Sequence, residues 1–178
     1  MKKKNSIYIF DTNIFLTGID FNIIEGTIFT TQSIIEELKN NRYIEKNRNI
    51  LNKINVAIDT RKLKIKLPKN NYINKINEIS KLTGDFNALS DADKGLLAIS
   101  LELLEVQGED LRLYSNDYSI ENVCSELNIP FSSLYKDGIE SRIIWEIYCP
   151  QCKNIHKAKD LNKICEICGS KLRRRPKK

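Results

Sequence analysis

A chain of 178 residues, 41% hydrophobic and 29% charged with 7 Gly and 4 Pro, can bury one core of ordinary domain size plus a small appendage, which excludes a largely disordered protein. The formal charge is +6, but six of the 29 Lys and Arg sit in the last eight residues, KLRRRPKK, and the rest of the chain balances; a terminus of that sign can grip phosphates or simply keep a chain end solvated. No apolar stretch approaches the roughly 18 to 20 residues that a bilayer demands, and the MKKKN start leads into a strand too short for a signal-peptide core, so the chain is expected to be cytoplasmic and free of membrane.

The first predicted strand is Ile7 to Asp11. Ile7, Tyr8, Ile9 and Phe10 are apolar without alternation, as in a strand buried on both faces of a parallel sheet. The run ends on Asp11, with no positive residue near it in sequence. A carboxylate at a core edge costs on the order of several kcal/mol unless a cation, a metal or hydrogen-bond donors offset it. Further strands are expected at Thr27 to Thr30, Leu63 to Leu67 and Leu111 to Ser115, with a weaker one near Pro130 to Leu134. Apolar residues three or four apart predict helices over Ser33 to Asn40, Asn47 to Thr60, Tyr72 to Leu82, Asp91 to Gln107 and Ile120 to Asn128. The alternation argues for an α/β domain with a mostly parallel central sheet flanked by helices, whose functional groups gather at the carboxyl ends of strands. In LKIKL, Leu63, Ile65 and Leu67 alternate with Lys64 and Lys66 and Pro68 follows, which predicts a half-exposed edge strand.

Helix geometry singles out a few acids. At about 100° per residue, Asp93 falls inside the apolar face of Leu96, Leu97, Ile99, Leu103 and Leu104, whereas Asp91 lies opposite with Glu102 and Glu105. Ser90-x-x-Asp93 is also a capping box, which explains the residue type but not its inward direction. In SIIEELKN, Glu37 borders the apolar face, while Glu36 faces solvent and can close a capping box with Ser33. Asp117 follows a strand and opens a helix, the place of an N-cap. It shares with Asp11 a position where a buried strand stops, and the two meet if their strands are neighbours. Convergence of Asp11, Glu37, Asp93 and Asp117 would set four carboxylates together without cations, a repulsion that hard divalent ions relieve. Oxygen ligands without histidine favour Mg2+ or Mn2+, and the chemistry implied is metal-assisted hydrolysis of a phosphodiester. Asp85 and Asp91 rank behind these four.

After Tyr135 the pattern changes. Cys149-x2-Cys152 and Cys165-x2-Cys168 offer four thiolates to one tetrahedral ion, the spacing of a zinc ribbon. Four protein ligands leave no open position, which makes this Zn2+ structural. His156, the only histidine, is expected to pack or face solvent beside a full shell, and Cys124 to be a small buried apolar residue. The boundaries expected are 1–136 for the sheet domain, 137–146 for a linker, 147–172 for the ribbon and 173–178 for a basic tail.

FDTNIF, the EEL helix, LSDAD and SND in that order resemble the PIN-domain nucleases. TGDFNALSDAD and SNDYSIENV, followed by a four-cysteine ribbon and a basic end, are similar to the archaeal form of the Nob endonucleases, which mature the 3′ end of small-subunit ribosomal RNA. The resemblance implies that Asp11, Glu37, Asp93 and Asp117 hold divalent metal and carry catalysis. It also implies that Asn13, Ser90 and Ser115 accompany them as small polar partners. Asn116 stands where many members carry a second acid. The ribbon and the basic end, Lys171, Arg173, Arg174, Arg175, Lys177 and Lys178, are then expected to bind the ribosomal RNA precursor or the pre-small-subunit particle. Two other readings remain at this point: a toxin-like PIN ribonuclease aimed at another RNA, and an RNA-binding scaffold with a silent acidic site.

Overall fold

The computed structural model describes residues 6–39, 44–107, 110–133 and 143–177. Asn40, Leu134, residues 137–142 of the expected linker and Lys178 lie outside the described residues. Five parallel strands form the central sheet: β1 (Ile7–Phe10), β2 (Thr27–Thr30), β3 (Leu63–Ile65), β4 (Leu111–Tyr114) and β5 (Phe131–Ser132). Their order is β3-β2-β1-β4-β5, with β3 and β5 at the edges. The all-apolar β1 is central, pairing Ile7 to Phe10 with Leu111 to Tyr114 of β4 on one side and Ile7 to Ile9 with Thr27 to Phe29 of β2 on the other.

The helices are α1 (Thr12–Phe15), α2 (Gln32–Lys39), α3 (Ile44–Asp59), α4 (Asn70–Thr83), α5 (Asp91–Gln107) and α6 (Tyr118–Glu126). The single turn α1 escapes periodicity because it is too short to show any. It follows β1 directly and buries Ile14 and Phe15, with Phe15 edge-on to both Phe10 and Phe21 at 5.8 and 5.4 Å between ring centroids. Helix α2 starts one residue before the predicted Ser33. Thr31, buried, accepts from the Ile34 N–H, and Glu36 takes a hydrogen bond from Gln32 in place of the expected box with Ser33. Helix α5 corrects a second expectation. Glu102, assigned to the solvent side, is 4% exposed and receives Lys66 and Lys69 at 3.1 and 2.7 Å. A wheel with one polar side fails for a helix packed by α2, α4, α6 and β4.

The remaining strands, β6 (Trp145–Tyr148), β7 (Ile155–His156) and β8 (Arg173–Pro176), form a separate antiparallel sheet in the order β7-β6-β8. This sheet takes Trp145 and Glu146 from the expected linker, and Arg173 to Pro176 from the expected tail. It has its own core of Ile147, Cys149, Cys165 and Leu172, distinct from the large cluster around the parallel sheet. Gly84 joins the two. It ends α4 at φ +83°, and a Cβ there would lie 2.7 Å from the Trp145 carbonyl oxygen. Gly84→Ala therefore strains both the left-handed turn and the seat of β6, and is expected to lower unfolding free energy by about 1–3 kcal/mol in urea titrations. Among the described residues, no helix is long and apolar enough to cross a membrane.

Candidate active site and metal centre

Asp11 stands where β1 stops, with its backbone still in the ladder: its N–H donates to the Tyr114 carbonyl of β4 at 3.2 Å. Thr30 ties the end of β2 to the same place by donating 2.9 Å to the Phe10 carbonyl. The residue is 5% exposed, and both carboxylate oxygens accept hydrogen bonds. Oδ1 accepts from the Thr12 N–H at 2.6 Å, and Oδ2 from Asn13 Nδ2 and Ser115 Oγ, both at 2.7 Å. Because β1 and β4 are neighbours, Ser115 also reaches the other strand end, accepting from the Asp117 N–H at 3.0 Å. Asp117 in turn caps α6 by accepting from the Ser119 N–H at 2.7 Å.

Asp93 closes the capping box its sequence offered. Ser90 and Asp93 close the capping box reciprocally, Ser90 N–H to Asp93 Oδ2 at 2.8 Å and Asp93 N–H to Ser90 Oγ at 3.1 Å. The same carboxylate faces the other acids. Glu37, from α2, accepts a 2.6 Å hydrogen bond from Thr12 Oγ1, which makes Thr12 the bridge between Asp11 and Glu37. Sequence reasoning passed over Thr12; its signal was its place between Asp11 and Asn13.

The electrostatics show which acids share a space. Burial pushes the Asp11 carboxyl up to about 6 against the hydrogen bonds of Ser115 and Thr12, and the charges of Asp93 and Asp117 push the same way. Burial also raises Asp93 despite Ser90, and Asp117 and Glu37 add to it. Thr12 links Asp11 to Glu37 and Ser115 links Asp11 to Asp117, and Asp93 faces the same corner. Among the described residues, none of them forms a salt bridge. Asn13 Oδ1 adds a buried acceptor with no protein partner next to Asp11. An all-oxygen set with uncompensated charge and an orphaned acceptor fits a hard divalent cation. The two lower-ranked acids lie elsewhere: Asp91 is exposed beside Lys94, and Asp85 is buried against Arg174 and Asn122.

Among the described residues, only the four cysteines form a group of three or more potential ligands whose donor atoms all lie within 4.8 Å; the acids are spaced more openly. Cys149 and Cys168 sulfurs are 3.3 Å apart and those of Cys152 and Cys165 3.6 Å. Tetrahedral zinc with bonds of ~2.3 Å sets its sulfurs about 3.8 Å apart, so the donors fit that ion. The Ser170 N–H pulls the Cys168 thiol down to about 6, into the thiolate range. His156 Nε2 lies 3.6 Å from Cys165 Sγ, against one of the four sulfurs.

The family model for the PIN domain of ribonuclease matches residues 8–103, and the parallel sheet with acids at its carboxyl edge accords with a PIN-type ribonuclease. The chain is 34% identical to Endoribonuclease Nob1 of Methanocaldococcus jannaschii over 95% of its length and 77% of that protein's. It is 30% identical to Ribonuclease VapC1 of Thermoplasma acidophilum, over 94% of this chain and 77% of the relative. It is 29% identical to Endoribonuclease Nob1 of Pyrococcus abyssi, over 96% and 94%. The chain belongs to the Nob1 endoribonucleases of the PIN-domain family.

Proposed function

We propose that this RNA endonuclease is a cytoplasmic enzyme that trims the 3′ end of small-subunit ribosomal RNA, with Mg2+ or Mn2+ at Asp11, Glu37, Asp93 and Asp117 and Zn2+ at Cys149, Cys152, Cys165 and Cys168. The observation that supports the reading is the hydrogen-bonded corner in which Thr12 and Ser115 tie Asp11 to Glu37 and Asp117 beside Asp93, with no salt bridge to any of the four among the described residues. A divalent ion there would supply an activated water at neutral pH and stabilise charge on the phosphate being cut. The chain's own part is rigidity. Thr12, Asn13 and Ser115 fix the Asp11 carboxylate in one orientation, Ser90 fixes Asp93, and Thr12 reaches across to Glu37. No side-chain nucleophile is required.

An acidic corner repels RNA, so affinity must come from bases elsewhere. Lys171, Arg173, Arg175 and Lys177 are exposed on the ribbon and suit phosphate contact, as does Lys178 by its place in sequence. Arg174 is turned toward the sheet domain, where it pairs with Asp85. Recognition of the ribosomal precursor by the ribbon is part of the proposal.

Similarity to both endoribonucleases of the Nob1 name and a ribonuclease of another name favours testing a second substrate. With Mn2+ present, an RNA spanning the 3′ junction of small-subunit ribosomal RNA is expected to be cut at the junction at least on the order of tenfold faster than transfer RNA of similar length. Equal rates, or faster cutting of transfer RNA, would overturn the ribosomal assignment and leave the nuclease. Cleavage with no dependence on Mn2+ or Mg2+ would overturn the metal reading.

A further inference from the structure

Arg174 does not sit like its basic neighbours. Its Nη1 donates 2.8 Å to Asp85 Oδ1, and its two Nη groups donate to Ser119 Oγ at 3.3 and 3.2 Å. The guanidinium lies 4.5 Å from the centre of the Trp145 ring. Asp85 is completely buried, and its second oxygen accepts from Asn122 Nδ2 at 2.7 Å. Asn122 also exchanges hydrogen bonds with the Ile143 backbone, which leads into β6. The pair joins the ribbon sheet to the nuclease domain, and removing Arg174 would leave the buried Asp85 carboxyl without its cation.

Ser119 carries the contact onward. Its hydroxyl accepts from Arg174, while its backbone N–H is the one that donates to Asp117 Oδ1. The start of α6 is therefore gripped from the ribbon side two residues from an acid of the site. We propose that Arg174 is a positioning residue of the nuclease: through Ser119 it fixes the start of α6, and with it the Asp117 carboxylate, an inference resting on the reading that Asp117 belongs to that site. The ribbon then does more than hold RNA. It completes the geometry of the corner where RNA is cut, and displacement of a positioned group by about 1 Å can cost on the order of a hundredfold in rate.

The test uses the full chain, Mn2+ and a labelled RNA under single-turnover conditions, reading the saturated rate separately from the protein concentration at half-saturation. Arg174→Ala is expected to lower the saturated rate on the order of tenfold or more, with half-saturation within about twofold. Ser119→Ala, which keeps the N–H to Asp117, should lower it in the same direction, and the double variant should be no slower than Arg174→Ala alone. Asp85→Asn combined with Arg174→Ala removes the stranded charge, so thermal stability should return toward wild type while the rate stays low. An unchanged saturated rate with weaker half-saturation would make Arg174 an RNA contact and overturn the inference. A rate that recovers together with stability would also overturn it, by reducing the pair to a fold constraint. Full activity of Asp117→Asn would overturn the reading of the site and the inference with it, whereas an inactive Asp117→Asn beside a normal Arg174→Ala would overturn the inference alone.

Discussion

Asp11→Asn is expected to lower RNA cleavage by at least on the order of a hundredfold, while making the metal-free protein more stable at neutral pH. Both effects follow from one burial. The Asp11 carboxyl titrates near 6 in the folded protein against 3.8 ordinarily, so the folded state binds its proton more tightly than the unfolded chain does. Stability from this group is therefore complete below about pH 4 and is lost as pH rises through about 6, by at most about 3 kcal/mol. An amide at position 11 has no such titration. Its NH2 would replace the oxygen that now accepts from Asn13 and Ser115, but Asn13 can turn its unpartnered Oδ1 toward it and the Ser115 hydroxyl can rotate. In chelator at pH 7.5, thermal unfolding of Asp11→Asn should lie several degrees above wild type, on the scale of about 2–4 °C per kcal/mol for a chain of this size. Saturating Mn2+ should reverse the order, because the wild-type acids then have their cation. Equal melting temperatures at pH 5 and pH 7.5 for wild type in chelator would show that burial does not penalise Asp11.

How much of this was legible beforehand depends on the kind of signal each residue carries. The parallel sheet was readable because β1 and β2 are short apolar or β-branched runs between helical periods, and Asp11 was conspicuous because it interrupts such a run. The adjacency of Asp11 and Asp117 was not readable: it depends on β1 pairing with β4 across about a hundred intervening residues. Asp93 was visible as an acid on an apolar face, but its capping role and its place among the acids looked like competing explanations, and a single carboxylate serves both. Glu102 misled because its partners Lys66 and Lys69 lie in another segment, and no helix wheel contains them. Arg173 to Pro176 misled for a related reason. A run of arginines has no apolar alternation, so nothing in it announces a strand; pairing with Trp145 to Tyr148 makes it one, and stacking of Arg174 on Trp145 and Arg175 on Tyr148 supplies the contact that apolar side chains would otherwise give. Asp85, ranked as a possible helper at the metal, proved to be the buried partner of that strand.

Stripping zinc is expected to unfold the ribbon and spare the nuclease core. The ribbon's own buried set is Ile147, Cys149, Cys165 and Leu172, two of which are among the proposed zinc ligands, and so small a core is expected to need an ion to hold its fold. The parallel sheet and its helices form a separate cluster that contains no ribbon side chain, so their burial survives. The sole tryptophan reports the event, because Trp145 is in β6, stacked by Arg174 and packed against the turn at Gly84. A strong thiophilic chelator should release one zinc per chain, shift tryptophan emission to longer wavelength as β6 leaves β8, and retain most of the helical circular dichroism. Cys165→Ala should do the same without chelator, since a closed four-thiolate site that loses one thiolate no longer completes its shell. Zinc release with unchanged tryptophan emission would mean that the β6–β8 pairing and the Arg174–Asp85 pair hold the sheet without metal, placing the ribbon's stability in its docking on the nuclease domain.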